Sequence, residues 1–225
     1  MGLPDPADVR LPPAPRAPGQ RPQQPAGPRR RRRHPQQGHR REGPVDHRHG
    51  QALIAAPTPL AGARLRPLRP DDAAAIEAYL RDPPITEFTC YPGVSRTLVE
   101  AIFDISVARW NRGEYGRWAL VDGADDGVIG TLGFNENQPA HRWAELAYDL
   151  ARPRWGRGLM DLAVAAVLAW ALAPGRLGRV HAYVRADNLR SQRLLERRGL
   201  RRECTLRAYR VCRGVRHDFH VYEVL

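Results

Sequence analysis

Lysine is missing from the 225 residues altogether, so every one of the 36 strongly basic side chains is arginine. With so much alanine, proline and glycine, that bias reads as the codon usage of a GC-rich genome before it reads as function. Cysteine is scarce: Cys90, Cys204 and Cys212 form an odd set with no metal-ligand spacing. That argues against a disulfide framework or a metal site, and for free thiols in a reducing compartment. Long apolar runs are lacking too. The longest, Leu159 to Ala173, has 15 residues and contains Asp161; it is too short to span a bilayer and reads as a buried helix. The N-terminus has no apolar stretch of the kind that marks a secretory signal. The expectation is a cytoplasmic protein that does not engage a membrane.

What is present is unevenly spread. Residues 1–57 carry 11 arginines against 4 acids, which is more than half of the net charge of +12. They are rich in Pro, Arg, Gln and Gly, have almost no aromatics and show no periodic apolar face. Such a segment cannot bury enough surface to offset its ordering entropy, so it is expected to be a disordered tail, with the folded domain over 58–225. The run Arg29 to Arg33 is either a solvated tail or a contact for RNA or the ribosome.

From Arg64 the texture changes. Ala63 to Leu68 alternates like a strand, and Pro70-Asp71-Asp72 opens a helix carrying Ala74, Ile76 and Leu80. Pro83 to Val94 reads as a loop. Thr97 and Glu100 suggest a capping box for a helix through Asn111. Strands follow at Arg117–Val121, Val128–Phe134 and Arg142–Leu150. An apolar helix starts at Leu159 and stops at Pro174-Gly175. Then come a strand at Arg179–Val184, a short helix over Ser191–Arg198, and a hairpin of two long strands around Arg213-Gly214. This order predicts an α/β (α+β) domain: one mixed, mostly antiparallel sheet with helices on both faces.

Two stretches carry chemistry. Arg154-Trp155-Gly156-Arg157-Gly158-Leu159-Met160 joins a strand to a helix. Two glycines allow φ > 0 and close backbone approach, and the helix N-terminus adds positive potential, which together suit a pyrophosphate. On its own, the same pattern is also ordinary turn chemistry. The second stretch runs from Asn188 through Ser191 to Gly199-Leu200, where either polar residue can simply cap a helix. Cys90 is a candidate nucleophile with no base arranged beside it, and reads better as a buried or rim thiol. His217 and His220 lack the spacing of a metal pair and read as surface or substrate-rim residues.

Taken together and in this order, the two stretches resemble the GCN5-related N-acetyltransferase (GNAT) superfamily. Arg154 to Met160 lies where that family has its Q/R-x-x-G-x-G/A coenzyme A loop. Asn188 to Leu200 is similar to its N-x-x-S-x-x-x-L-x-x-x-G-F stretch, and Trp143 to Leu150 looks like the strand before the loop. Gly214 to Tyr222, with Asp218, resembles the last strand of the RimJ/RimL-type branch that acetylates ribosomal-protein N-termini. The resemblance implies acetyl-CoA as co-substrate, held by Leu150, Arg154, Trp155, Gly156, Arg157, Gly158, Leu159, Met160 and Asn188. It departs from the family at Trp155 and Met160, so Arg154 or Arg157 is expected to bring charge to the phosphates. Where many members carry a tyrosine acid on the short helix, this chain has Leu195.

The implied reaction is direct attack of a primary amine on the thioester in a ternary complex. An α-amine with a pKa of about 8 needs only a modest base. Glu145 is the candidate base, the alternative being a salt bridge on a sheet face, and Ser191 is the candidate proton donor to the departing thiolate. The expected acceptor is a protein N-terminal α-amine. A small-molecule amine (antibiotic or polyamine) and a non-catalytic RNA- or ribosome-binding module are the alternatives. The chain is expected to be a monomer or a homodimer.

Overall fold

The computed structural model describes residues 62–225 apart from Pro92, Gly113 and Ala124. The tail expected over residues 1–57 and the domain start at residue 58 lie outside the described residues. The chain runs through β1 (Ala63–Pro67), α1 (Asp72–Leu80), a single turn α2 (Pro83–Thr86), α3 (Arg96–Asn111), β2 (Arg117–Asp122), β3 (Val128–Gln138) and β4 (Trp143–Leu150). It continues through α4 (Leu159–Ala171), β5 (Arg179–Arg185), α5 (Leu189–Arg197), β6 (Arg201–Cys212) and β7 (Val215–Val224). The seven strands form one sheet in the order β1-β2-β3-β4-β5-β7-β6. Only the β4–β5 pair is parallel; the others are antiparallel.

The sheet is buried on both sides at β2, and the sequence of that strand shows why, whereas β6 stays mostly exposed. Trp118 and Leu120 point into a core built with Phe134, Leu146, Val164, Val167 and Val180, beneath α4 and α5. Ala119 and Val121 point the other way, into a smaller cluster with Ile76, Leu80 and Val99 beneath α1 and α3. A strand apolar at successive positions is what a sheet covered on both faces requires. β1 is tied to α1 by a buried ion pair in which both nitrogens of the Arg66 fork reach Asp72, at 2.7 and 2.8 Å.

Three local expectations change. The cap of α3 is Ser95, whose Oγ accepts from the Leu98 N–H at 3.2 Å; Thr97 lies inside the helix, and Glu100 pairs with Arg96 instead. Asp72 is engaged by Arg66 and by the Arg69 N–H (2.6 Å), and the capping position belongs to Asp71, which makes no side-chain cap bond. The stretch expected to be all loop contains the turn α2, started by prolines at its first two positions.

The cysteines give a larger correction. Cys90 and Cys212, 122 residues apart in sequence, are joined in a disulfide, with their Cα atoms 4.2 Å apart. Only Cys204 keeps the free thiol expected of all three. Nothing in the spacing could show this, because the pairing depends on the β6–β7 hairpin curling back over the segment after α2.

Candidate active site

The site begins where two strands part. β4 and β5 pair in parallel only at Trp143–Arg179, Ala144–Val180 and Glu145–His181. Beyond Glu145 the ladder stops, although β4 runs on to Leu150 while β5 stays on β7 as far as Arg185. The gap holds a cavity of about 910 Å³ that passes through the sheet. Leu146, Tyr148, Leu150, Ser191 and Leu194 line it from the α4/α5 side, and Glu145, Ala147, Asp149, Arg117 and Tyr183 from the other. Because successive residues of a strand point to opposite faces, β4 contributes to both walls.

One end of the cavity is made of backbone. After β4 comes a short turn, then Gly156 (φ 75°) and Gly158 (φ 71°), both in the left-handed region that side chains other than glycine rarely adopt. Gly158 is the N-cap of α4 and has no side chain to satisfy the first N–H groups of the helix. Those donors therefore face the cavity unspent, as an anion site requires, while the acid of the first turn, Asp161, is paired with Arg197 and Arg198. Trp155 fixes the turn: its indole N–H donates to the Leu150 carbonyl at 2.8 Å. The Arg190 guanidinium lies 3.9 Å over the same ring.

The other end is made of side chains. Arg117, buried, donates to Thr131 Oγ1 (2.8 Å), to Asn135 Oδ1 (2.8 Å) and to Asp149 (3.0 Å). Asp149 also accepts from the Tyr79 hydroxyl at 2.5 Å. Asn135 is the extra residue of a bulge in β3 and leans toward Glu145, its amide 3.4 Å from Oε1. Glu145 is only 6% exposed. Burial pushes its carboxyl above the ordinary carboxylate range, against the Asn135 hydrogen bond and the charge of Arg210. Across the gap, the Tyr148 hydroxyl and Ser191 Oγ lie 2.6 Å apart. Burial pushes the Tyr148 phenol up to about 12, against the hydrogen bond to Ser191. Asn188 Oδ1 accepts from the Ser191 N–H at 3.1 Å and so caps α5.

A roof closes this end. The segment from Pro83 to Tyr91 is fastened across the cavity by the Cys90–Cys212 disulfide and by Arg213, whose guanidinium donates to the Thr86 carbonyl at 2.9 Å. Arg185 adds a bond to the Glu87 carbonyl at 2.8 Å, with its guanidinium 4.8 Å from the Phe88 ring centroid.

Of the residues singled out from sequence, Glu145, Ser191, Leu150, Arg154, Trp155, Gly156, Gly158, Leu159, Met160 and Asn188 all line this one cavity. Arg157 does not; it is exposed. Arg154 lines the wall with its charge already matched by Asp122. Sequence reasoning passed over Arg190, Tyr148, Arg117 and Arg210. Arg190 and Tyr148 stand inside the quoted motifs, but the other two lie on strands that no motif marked.

Residues 63–201 match the acetyltransferase (GNAT) domain family. The N-acetyltransferase p20 of Bacillus licheniformis is 31% identical over 166 residues, 72% of this chain and 91% of that one. RimJ of Mycobacterium smegmatis, solved in complex with CoA-disulfide, is 26% identical with a TM-score of 0.63, over 72% of this chain and 81% of that one. RimL, a ribosomal L7/L12 α-N-protein acetyltransferase solved with coenzyme A, superposes with a TM-score of 0.68 at 19% identity, over 74% of this chain and 96% of that one. Fold, cleft and relatives together define an acetyl-CoA-dependent acetyltransferase. The chain belongs to the GNAT family.

Proposed function

We propose that the chain acetylates the α-amine of a peptide or protein N-terminus, with acetyl-CoA and the acceptor bound together in the parted β4–β5 cleft. The observation that carries this reading is the charge of the acceptor end. Its lining includes a single carboxylate without a basic partner, Glu145, which feels the charge of Arg210 and Arg117, with Arg185 further along the same wall. A polyamine or aminoglycoside needs a wall of acids, whereas one isolated amine needs one base. The RimL fold neighbour, an α-N-protein acetyltransferase, supports the same reading.

Acetyl-CoA brings an activated thioester and an anionic pyrophosphate. The Gly156–Gly158 turn and the free N–H groups of α4 suit the phosphates, with Arg190 at the mouth supplying the positive charge first expected of Arg154 or Arg157. Glu145 takes the proton of the attacking amine. Burial brings its pKa closer to that of the amine, about 8, which makes it a better matched base.

On the opposite face, Ser191 and Tyr148 meet the charge that develops on sulfur. A phenol at about 12 cannot give its proton outright to a thiolate with a pKa near 8.5; at 1.36 kcal/mol per pKa unit that transfer is uphill by on the order of 5 kcal/mol. A serine hydroxyl is a weaker acid still. The pair therefore stabilises the thiolate by hydrogen bonding, with Tyr148 holding the Ser191 hydroxyl in place.

Incubation of the purified protein with acetyl-CoA and a set of N-terminally free peptides, read by mass spectrometry, tests the proposal. Acetylation confined to the α-amine supports it. Acetylation of polyamines or aminoglycosides with no peptide product overturns it.

A further inference from the structure

Among the arginines that line the cavity, most are already committed. Arg117 is held by Asp149, Arg154 by Asp122, Arg185 by Asp187 and Arg197 by Asp161. Two are not. Arg190 lies over Trp155 at the cofactor end. Arg210, at the acceptor end, lies over a bed of three rings: its guanidinium carbon is 4.9 Å from the Tyr183 centroid, 5.2 Å from Tyr209 and 5.5 Å from Phe219. Among the described residues, no carboxylate pairs with Arg210 and no hydrogen bond uses its N–H groups.

A bulge in β6 puts it there. Leu206 faces Phe219 and Arg210 faces His217, so three residues of β6 stand opposite Asp218 alone. Ala208 takes φ 48° within the bulge, and its N–H is captured by the Asp218 carboxylate at 2.7 Å. A non-glycine residue in the left-handed region costs energy and persists only where the surroundings enforce it. Here the result is that Arg210 turns onto the cavity, while its exposed neighbour Tyr209 stacks on Tyr183 at 5.6 Å.

An aromatic bed holds a guanidinium by its face and leaves the in-plane N–H fork unspent, in the geometry that accepts a carboxylate on two donors. Glu145 lies on the same side of the sheet as Tyr183, but beyond ion-pair distance of Arg210. The acceptor end thus offers one negative and one positive group, separated, to the same ligand.

We propose that Arg210 anchors a carboxylate of the acceptor, so that the preferred substrate is a peptide whose α-amine is followed within a residue or two by aspartate or glutamate. This deepens the reading of the acceptor as a peptide N-terminus and rests on it.

The test compares kcat/KM for peptide pairs that differ only as Asp against Asn, or Glu against Gln, at the second and third positions, with a free acidic amino acid as a further arm. The wild-type chain is expected to favour the acidic member about 10-fold or more. In Arg210→Gln the preference falls to near one, and Arg210→Lys restores part of it. The acetyl-CoA-induced rise in melting temperature, retained in each variant, shows that the fold is intact. No acidic preference in the wild type, or an equal loss for both members of each pair in Arg210→Gln, overturns the proposal and reduces Arg210 to packing. Acetylation of the free acidic amino acid alone, dependent on Arg210, upholds the anchor while overturning the peptide reading.

Discussion

The two ends of the cavity are built by different means. On the proposed reading, the work at the cofactor end falls to backbone: two left-handed glycines and the open N-terminus of α4. At the acceptor end it falls to side chains from α1, β2, β3, β4, β5 and β6, with Arg117 bonded to three partners and Arg210 over three rings. Backbone recognition needs only a short contiguous stretch, so it would tolerate Trp155 and Met160 where other residues were expected. Side-chain recognition needs a constellation, so each change there alters what is accepted.

The sharpest way to break this contrast is Gly158→Glu. It forces a side chain onto φ 71° and sets a second anion at the helix N-terminus. Acetyl-CoA affinity by calorimetry is expected to fall by about 100-fold or more, because repulsion from the new carboxylate and relaxation of the strained turn away from its binding geometry each cost on the order of 1–2 kcal/mol or above. The same measurement on Met160→Ala, which leaves the backbone alone, is expected to show a far smaller loss.

Next in size are the two hydroxyls. Ser191→Ala is expected to lower kcat by about 10- to 100-fold, within or below the range for losing one donor to a developing anion, and Tyr148→Phe by less. If Tyr148 works through Ser191, the double variant costs little more than Ser191→Ala alone, because the two act as one unit.

A third expectation concerns the roof. The native protein should take up an alkylating label only at Cys204, whose thiol is exposed. Reducing Cys90–Cys212 releases a loop of 122 residues and should lower stability by about 2–4 kcal/mol, visible as a drop in melting temperature with reductant. Labelling of all three cysteines without reductant would return them to the free thiols that the composition suggested.

How far the sequence could be read follows the same divide. The succession of strands and helices along the chain, the helix breaks at Pro174-Gly175 and Gly199, and the glycine turn were legible because each is a local pattern of a few residues. So was Glu145, since alternation along β4 places it beside Trp143 and Ala147. Arg210 was not legible: it reaches the cavity only through a bulge held by Asp218, and bulges leave no period to find. The disulfide was hidden for a related reason, since Cys90 and Cys212 meet only once β6 and β7 have curled over α2. The surroundings of Arg154 and Arg157 were not legible, because charge in a motif says nothing of the partner it finds: Arg154 pairs with Asp122 and Arg157 is exposed.

Glu145 carries the proposed proton transfer, and one pH series decides it. Turnover of Glu145→Gln and wild type with an accepted peptide, at saturating acetyl-CoA, is to be measured from about pH 6 to pH 9. An α-amine with a pKa of about 8 is almost wholly protonated at the lower limit and mostly neutral at the upper. The variant should therefore lag most near pH 6 to 7, by about 10- to 100-fold, and close most of the gap by pH 9. Its stability should move the other way. Burial raises the Glu145 carboxyl, so the folded chain loses stability as pH climbs from the ordinary carboxylate range through that raised value, and the Gln variant should be the more stable above it. Lower turnover with equal or greater melting temperature above that window, and a deficit that shrinks with pH, is the predicted result. Wild-type turnover across the whole range would contradict it and leave Glu145 a buried carboxylate with no part in the reaction.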